Sequence, residues 1–321
     1  MQSLTNTGYP RNLSYCVKRL SGYSRNNVKL NTLNQVTAVA GNIITVDLPT
    51  NCMIDLSTFT MYFNGTTTTT TGFANFPRNI ETLIERLEVE INGQIINGGC
   101  QAYNQLFQAI SDTSFGNDVR NRRSVLQSGA DAVVPAGNVA NWPYAIQTWL
   151  GFISSVSPNI LDTSLLGNVR LRITLTNTGA LVTNGPTAIT PATGVAYSLT
   201  NIFFSTDIID IQDGMYHQIH DQALAKGMVY EMPFNNYFSF NSVGGLSQTT
   251  KFSLSTQSLN RVWAMFIPGA AYRIDNTVCL GVTTTGTAGA AADPISHTSS
   301  YFTRVNGGAG GTVITYGDAK W

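Results

Sequence analysis

The sequence predicts an all-β fold made of two eight-stranded jelly rolls, a double jelly roll, with short helical insertions. First, two stretches, 84–93 and 169–176, alternate apolar and polar residues with a period of two, which is typical of strands with one buried face. Second, charged residues make up only 11% of the chain, against about 25% in an average soluble domain. Third, Thr, Ser, Asn and Gly fill that deficit, and these residues favour turns and solvated strand faces.

The alternating stretches define the expected core. In each stretch the apolar residues share one face and the charged or hydroxyl residues share the other. Because the alternation is regular rather than a continuous apolar run, it indicates antiparallel strands that face water on one side. The residues predicted to point inward are Leu87, Val89, Ile91, Val169, Leu171, Ile173 and Leu175.

The first half of the chain reads as short strands with one helix. Strands are predicted over 36–40 and 42–48, joined as a hairpin by a Gly-Asn turn, and a third over 53–64. Six consecutive threonines, 66–71, have no apolar face and are predicted to form an exposed loop. Apolar residues at helical spacing within 102–112 predict a helix.

The second half repeats this outline. Residues 177–196 are rich in Gly, Pro and Thr and mark the expected boundary between the two rolls, and 197–211 is expected to begin the second series of strands. Asp213 is a candidate helix N-cap, and this helix is expected to end at Gly227. Further strands are predicted over 229–232, 237–241, 251–255, 260–267 and 312–316. The predicted division is an N-terminal basic arm (1–30), a first jelly roll (31–190) and a second jelly roll (191–321).

The N-terminal region is basic, although the whole chain has a formal net charge of zero. A neutral chain argues against a surface that grips nucleic acid everywhere, and it suits a protein that packs against its own copies. No Asp or Glu precedes Asp47. The region is either a solvated tail or an arm that lies on lipid headgroups or packaged nucleic acid. Its cationic residues are Arg11, Lys18, Arg19, Arg25 and Lys29.

The cysteines predict neither a zinc site nor a disulfide framework. Cys16, Cys52, Cys100 and Cys279 form no CxxC pair and match no zinc spacing, so free thiols in a reducing cell are expected. The N-terminus has no apolar signal-peptide core, and no apolar run approaches the length of a membrane span. The protein is therefore expected to be made soluble inside a cell.

Candidate catalytic groups are few. His217 and His220 are three residues apart on the second predicted helix, but a metal site needs a third ligand, and His297 lies in a glycine-rich stretch. Glu85, Glu88 and Glu90 could supply a glycosidase pair, yet Glu88 and Glu90 share the wet face of a strand with Arg86, which favours solvated cross-strand pairing. Nucleophile-elbow, Walker-type and HExxH motifs are absent from the sequence. We therefore predict no catalytic residues, no metal and no cofactor, and a protein that is not an enzyme.

The order of the segments resembles double jelly-roll major capsid proteins of the adenovirus and tailless lipid-containing bacteriophage lineage. Its first-roll segments are VDLPTNCMIDLSTFTMYFNG (46–65), IERLEVEINGQIING (84–98), AYNQLFQAI (102–110) and PNILDTSLLGNVRLRITLTN (158–177). Its second-roll segments are YSLTNIFFSTDIIDIQDGMYHQI (197–219), YFSFN (237–241), KFSLSTQSLNRVWAMFIP (251–268) and YFTRVNGG (301–308). The sequence departs from the family pattern in its short second half after Tyr301.

The resemblance implies a major capsid protein of an icosahedral virus, expected to be a phage with an internal membrane. It implies a homotrimer that forms a pseudo-hexameric capsomer, with loops as outer towers and the basic arm facing the membrane or the interior. Implied partners are neighbouring capsomers, minor capsid, vertex or penton proteins and internal membrane lipid, without sequence-specific nucleic acid. The protein would be made in the host cytoplasm and reside in the virion. Candidate interface aromatics, each of which can equally be core, are Trp142, Trp149 and Trp263.

Two other functions compete with this interpretation. A carbohydrate-binding or adhesin β-sandwich, such as a viral spike or a lectin, would present aromatic platforms and calcium-binding acids on its loops. A jelly-roll glycosidase would use Glu88 or Glu90, and replacing either would abolish turnover of a glycan.

Overall fold

In a computed structural model, the protein consists mainly of antiparallel strands. The structure describes residues 23–77, 79–114, 137–184, 192–211, 214–227, 229, 231–240, 242, 249, 251–256 and 258–264. The strands are β1 (Tyr23–Asn31), β2 (Ala38–Val39), β3 (Ile43–Asp47), β4 (Met53–Thr68), β5 (Phe73–Asn75), β6 (Ile84–Ile91), β7 (Gln94–Asn97), β8 (Trp142–Ile146), β9 (Ile160–Asp162), β10 (Val169–Leu175), β11 (Val182–Asn184) and β12 (Ala196–Ile211). The helices are α1 (Tyr103–Ser114), α2 (Phe152–Ser155), α3 (Thr163–Leu166) and α4 (Gly214–Ala225). The prediction of an all-β fold with short helical insertions is confirmed.

The strands form two main sheets. The larger sheet has the order β1-β12-β4-β8, with β2 also paired to β12 and β9 to β4, and the smaller sheet has the order β3-β10-β6-β7. A separate two-stranded pair joins β11 to β5. Apolar side chains from both sheets form one core, in which Phe59 stacks on Phe204 with ring centroids 5.3 Å apart and contacts Trp149 at 5.6 Å. This arrangement of two sheets over a shared core is a β-sandwich.

The two alternating stretches lie where the sequence predicts. β6 and β10 are antiparallel neighbours, with Leu87 opposite Ile173 and Val89 opposite Leu171. Along β10 every second residue is buried, from Val169 to Leu175. Because a shift of one residue would turn this apolar face to solvent, the register of the smaller sheet is well specified.

The predicted hairpin of 36–40 and 42–48 is wrong. β2 pairs with β12 in the larger sheet, whereas β3 pairs with β10 in the smaller one. The turn at Gly41, which has a φ of +79°, therefore carries the chain from one sheet to the other. A glycine suits this left-handed backbone conformation in a sheet-crossing corner as well as in a hairpin.

The threonine run is only partly a loop. β4 continues through Thr68, and its threonines pair with β12, including Thr66 opposite Ser198. Thr67 is buried and its hydroxyl donates a 2.7 Å hydrogen bond to the carbonyl of Ala74. The expectation of a loop over 66–71 fails for 66–68 because threonine is a good strand former whose hydroxyl can be satisfied inside the sandwich.

Two strands, β1 and β12, pair in a way that the predicted domain limits do not anticipate. β1 extends the larger sheet, with Tyr23 opposite Ile211 and Asn31 opposite Phe203, so 23–30 is not an arm. β12, which we expected to begin the second roll, is the central partner of β1 and β4. Both strands therefore belong to the first sandwich, and a second roll stays a prediction only for the part of the chain after β12.

The two predicted helices are present as α1 and α4. Gly227, with a φ of +74°, follows the end of α4 as the sequence indicates, while Asp213 lies outside the described residues. The strands predicted over 229–232, 237–241, 251–255 and 260–267 are absent from the described residues there, which form neither helix nor strand. The strand predicted over 312–316 lies outside the described part. In the described part of the chain, helices fall short of the length and apolarity needed to cross a membrane.

Candidate assembly surfaces

Arg25 joins three strands on the outer face of the larger sheet. Its Nε donates to Asp207 and its Nη2 to Asp55, both at 2.7 Å, and Asn27 donates a 2.8 Å hydrogen bond to Asp207. We call Arg25, Asn27, Asp55 and Asp207 the Arg25 cluster. Hydrogen bonds from Asn27 and Arg25 hold the pKa of Asp207 below its usual value, because they favour the ionised carboxylate.

The Arg25 cluster changes the interpretation of the basic arm. Two carboxylates surround one guanidinium, so this cluster has no excess positive charge with which to attract an anionic surface. Lys29 lies over the ring of Phe203, with its Nζ 4.4 Å from the centroid, and is part of the same sheet. Of the predicted arm residues, Arg11, Lys18 and Arg19 lie outside the described residues, so their role stays a prediction.

Exposed aliphatic side chains lie along the chain from the end of β1, through β2, to the start of β3. Between 47% and 58% of each of the four side chains is exposed, and the sequence from Leu30 to Val46 contains no charged residue. Exposed apolar side chains on a stretch without charged residues of its own are typical of a protein interface. We call this set the aliphatic patch: Leu33, Val36, Val39 and Ile43.

Hydrogen bonds hold the backbone of the aliphatic patch in place. The Leu33 amide donates to the Thr45 carbonyl at 2.8 Å, and the side chain of Asn34 accepts from the Thr45 amide at 3.0 Å. Gln35 donates to the Ile43 carbonyl at 2.9 Å. These hydrogen bonds engage backbone N–H and C=O groups of Ile43 and Thr45 along the outer edge of β3. They protect that edge from pairing with another strand. The patch therefore offers apolar side chains rather than free backbone groups.

Local sequence patterns do not identify the aliphatic patch or the Arg25 cluster. The patch has one signal in the sequence, the absence of charge from Leu30 to Val46, but exposure depends on how the connection folds. The cluster joins residues from three strands far apart in the chain. It could not be found without the pairing of β1 and β4 with β12.

The remaining threonines form part of a polar tip. Asn138 donates to the hydroxyl of Thr69 at 3.1 Å, and the hydroxyls of Thr71 and Thr193 lie 2.6 Å apart. Three connections therefore meet at one end of the sandwich. Residues 69–71 of the threonine run are largely exposed, as expected for a loop on the outer surface.

The three candidate interface tryptophans differ in burial. Trp149 is core, and its indole Nε1 donates a 2.8 Å hydrogen bond to the Phe59 carbonyl. Trp263 is partly buried against the core. Trp142 is exposed at the start of β8, so it is the one of the three that can contact another molecule with much of its ring.

The acidic residues considered for catalysis pair with arginines. Arg86 Nη2 lies 2.6 Å from Glu88, and Arg172 Nη2 lies 2.7 Å from Glu90. The Arg172–Glu90 pair joins β10 to β6 and confirms the predicted cross-strand pairing on the wet face of β6, whereas Arg86 and Glu88 lie on the same strand. His217 and His220 lie within α4, but their side chains and His297 are outside the described part. The described residues contain no group of three or more His, Cys, Asp or Glu that could hold a metal ion.

Two of the four cysteines can be placed. Cys52 and Cys100 are free thiols, as predicted, and burial raises the pKa of each because it disfavours the thiolate. Both are therefore weak nucleophiles at neutral pH. Cys16 and Cys279 lie outside the described residues.

Comparison with known proteins finds similarity only among solved structures. No family model matches the chain, and no curated protein sequence matches it. A PBCV-1 virus capsid structure is 19% identical and covers 63% of this chain and 45% of its own, with a TM-score of 0.43. The Faustovirus major capsid protein is 10% identical and covers 70% and 58%, with a TM-score of 0.39. The major capsid protein of bacteriophage PM2 is 11% identical and covers 60% and 51%, with a TM-score of 0.26.

These structural neighbours are viral capsid proteins, the class that the order of segments resembles. The chain spans about half the length of the neighbours it matches.

Proposed function

We propose that this chain is the major capsid protein of an icosahedral virus, with a structural rather than a catalytic role. The sandwich serves as a rigid block, and three copies associate through their sides as a pseudo-hexameric capsomer. Because a closed three-fold ring is built from heterologous contacts, each copy offers one surface to the copy before it and another to the copy after it.

The observation that carries the proposal is the aliphatic patch. Its side chains are apolar and exposed, its backbone is held by hydrogen bonds to β3, and charged residues are absent around it in the sequence. Burying such a surface between copies removes apolar area from water. Since the backbone is already ordered, association costs less conformational entropy than ordering a loose loop would.

The patch can be tested by replacing Leu33 and Val36 with serine in one double variant. We expect wild-type protein to be trimeric by light scattering and the double variant to be monomeric at the same concentration. Its melting temperature should change little, because the replaced side chains are already exposed. The matched control is Ile160→Ser, which changes an exposed aliphatic residue on β9 and should leave the trimer intact. A double variant that remains trimeric would contradict a role for the patch.

The proposal retains the double jelly roll with a later boundary. The first roll then includes β1 and β12, and the second roll begins after α4 rather than at residue 191. The arm reduces to the residues before β1, where Arg11, Lys18 and Arg19 face the interior or a membrane. Pelleting with anionic vesicles tests the arm: a full-length R11Q/K18Q/R19Q variant should lose salt-sensitive binding, and unchanged binding would remove this part of the proposal.

The expected setting follows from this role. Partners are neighbouring capsomers, minor capsid, vertex or penton proteins and, for a phage with an internal membrane, its lipid. The chain is made in the host cytoplasm and resides in the virion. Electron microscopy of purified trimers should show particles with a hexagonal outline, and elongated or irregular particles would argue against the capsomer.

A second candidate function is glycan binding, which the exposed position of Trp142 favours. Trp142 begins β8, shortly after Asn138, which forms a hydrogen bond with Thr69 at the polar tip. An exposed indole beside hydroxyl and amide groups can stack on a sugar ring. Binding on a glycan array that Trp142→Ala abolishes would support this candidate, whereas an array without binding would leave the tip as outer surface.

A further inference from the structure

β1 contributes little to the hydrophobic core. It stands at one end of the strand order of the larger sheet, next to β12. Among residues 24–31, Val28 and Leu30 are half-buried and the other six are exposed. In β10, by contrast, every second residue is buried. Because burial of apolar side chains is the main stabilising contribution in a fold, β1 is held less firmly by it than β10 is.

The contacts that hold β1 are mainly polar. Its nine residues pair with β12 in an unbroken antiparallel register. On the outer face, the Arg25 cluster joins β1 to β4 and β12, and Lys29 lies over the ring of Phe203. The side chain of Arg25 is 43% exposed. Closure of β1 therefore depends on backbone hydrogen bonds and on charged groups that solvent can reach.

The chain that follows β1 is fixed independently of it. The Leu33 amide donates to the Thr45 carbonyl at 2.8 Å, and the Ile202 amide donates to the Val36 carbonyl at 3.1 Å. The side chain of Asn34 accepts from the Thr45 amide. These hydrogen bonds tie the connection to β3 and β12 whether or not β1 is paired. A separation of β1 from the sheet can therefore end before Leu33 and leave the aliphatic patch in place.

We propose that β1 is a strap that separates from β12 while the rest of the sandwich stays folded, and that the Arg25 cluster holds it closed. An element that buries few apolar side chains opens at a lower free energy than the whole fold unfolds. The remaining strands keep their partners without β1, since β12 stays paired with β4 and the smaller sheet does not include β1.

Opening of the strap changes the surface of the larger sheet. It uncovers the edge of β12 with the backbone groups that pair with β1, and it removes the guanidinium from the carboxylates of Asp55 and Asp207. A strand that takes the place of β1 therefore needs a cation at the position of Arg25. The inference does not depend on the capsid role, since a single chain can open in this way.

Hydrogen exchange of the full-length protein, followed by peptide mass spectrometry, tests the proposal. We expect the protected amides of β1 to exchange faster than those of β10. Urea below the unfolding transition should accelerate exchange in β10 more than in β1, because opening one strand exposes less surface than global unfolding. Equal exchange rates with equal urea dependence in the two strands would overturn the proposal.

Ile173→Val distinguishes local opening from global unfolding. Ile173 is fully buried in β10, so its truncation destabilises the sandwich whether the strap is open or closed. Exchange in β10 should accelerate roughly 2- to 12-fold, while exchange in β1 should not change. Acceleration of both strands by the same factor would overturn the proposal, because β1 would then exchange only when the whole fold unfolds.

Arg25→Met tests whether the Arg25 cluster holds the strap closed. Exchange in β1 should accelerate about 30-fold, because the guanidinium makes hydrogen bonds to two carboxylates. The matched control is Lys29→Met, which removes the same charge from the same strand and should accelerate exchange by less than about sixfold. Equal acceleration by the two substitutions would overturn the role of the cluster. Asp207→Asn repeats the test if the Arg25 variant does not fold.

Discussion

Replacing Arg25 with methionine keeps a long aliphatic side chain on β1 but removes the guanidinium between Asp55 and Asp207. The side chain of Arg25 is 43% exposed, whereas those of Asp55 and Asp207 are 12% and 20% exposed. Hydrogen bonds to charged groups contribute about 1.5–3 kcal/mol when buried, and exposed ion pairs about 0.2–1 kcal/mol. With two contacts of intermediate exposure, we expect the variant to lose about 2 kcal/mol of unfolding free energy.

Urea unfolding followed by far-UV circular dichroism measures this loss. The matched control is Lys29→Met on the same strand, which removes the same charge but only the contact with the Phe203 ring, worth about 0.5–1 kcal/mol. A loss for the Arg25 variant no larger than the loss for the Lys29 variant would refute the structural role of the cluster. A double-mutant cycle with Asp207→Asn should show clear coupling, and simple additivity would contradict the direct ion pair.

Two further predictions concern packing and pH. Gly65→Ala places a Cβ 2.6 Å from an aromatic ring carbon of the core, so thermal unfolding should show a loss of about 1–3 kcal/mol in the free energy of unfolding. In the control Gly137→Ala, the added Cβ meets nothing within 4 Å, so its stability should not change. Equal effects of the two substitutions would contradict the packing around Gly65. Because hydrogen bonds from Asn27 and Arg25 lower the pKa of Asp207 from its ordinary 3.8, its stabilising effect is present above that value and is lost as the pH falls through the folded-state pKa. Denaturant midpoints measured through this acid range should therefore fall less steeply for Asp207→Asn than for wild type, and identical pH profiles would be the contrary result.

Three elements, β6, β10 and α1, could be predicted from the spacing of apolar residues in their own segments. The alternation in β6 and β10 places Leu87 and Leu171 in the core, and the apolar spacing in 102–112 predicts α1. In these segments the period of the sequence matches one regular structure only, so the prediction needs no knowledge of distant residues.

The predictions that fail depend on contacts between distant parts of the chain. A glycine turn between two apolar stretches has the same sequence pattern whether or not the two strands pair with each other. Here they do not: β2 pairs with β12 in the larger sheet, and β3 pairs with β10 in the smaller sheet. Likewise, the boundary before β12 was predicted from loop composition, yet β12 pairs with β1 and β4. Loop composition locates a connection, but it does not say to which sheet the next strand belongs.

The candidate surfaces were also beyond local patterns. The five cations of the predicted arm look equivalent in sequence, but Arg25 is neutralised by two aspartates from other strands. The exposure of Leu33 and Val36 follows from the way the connection packs on β3 and β12. Charge and hydropathy identify such residues as candidates, and only the fold decides which of them are free to contact a partner.

The solution mass of the purified full-length protein, measured by light scattering over a range of concentrations, tests the capsid role most directly. The chain has a mass of 34.7 kDa, and we expect a particle of about three times that mass that persists on dilution. A single species with the mass of one chain at every concentration would contradict the trimeric capsomer.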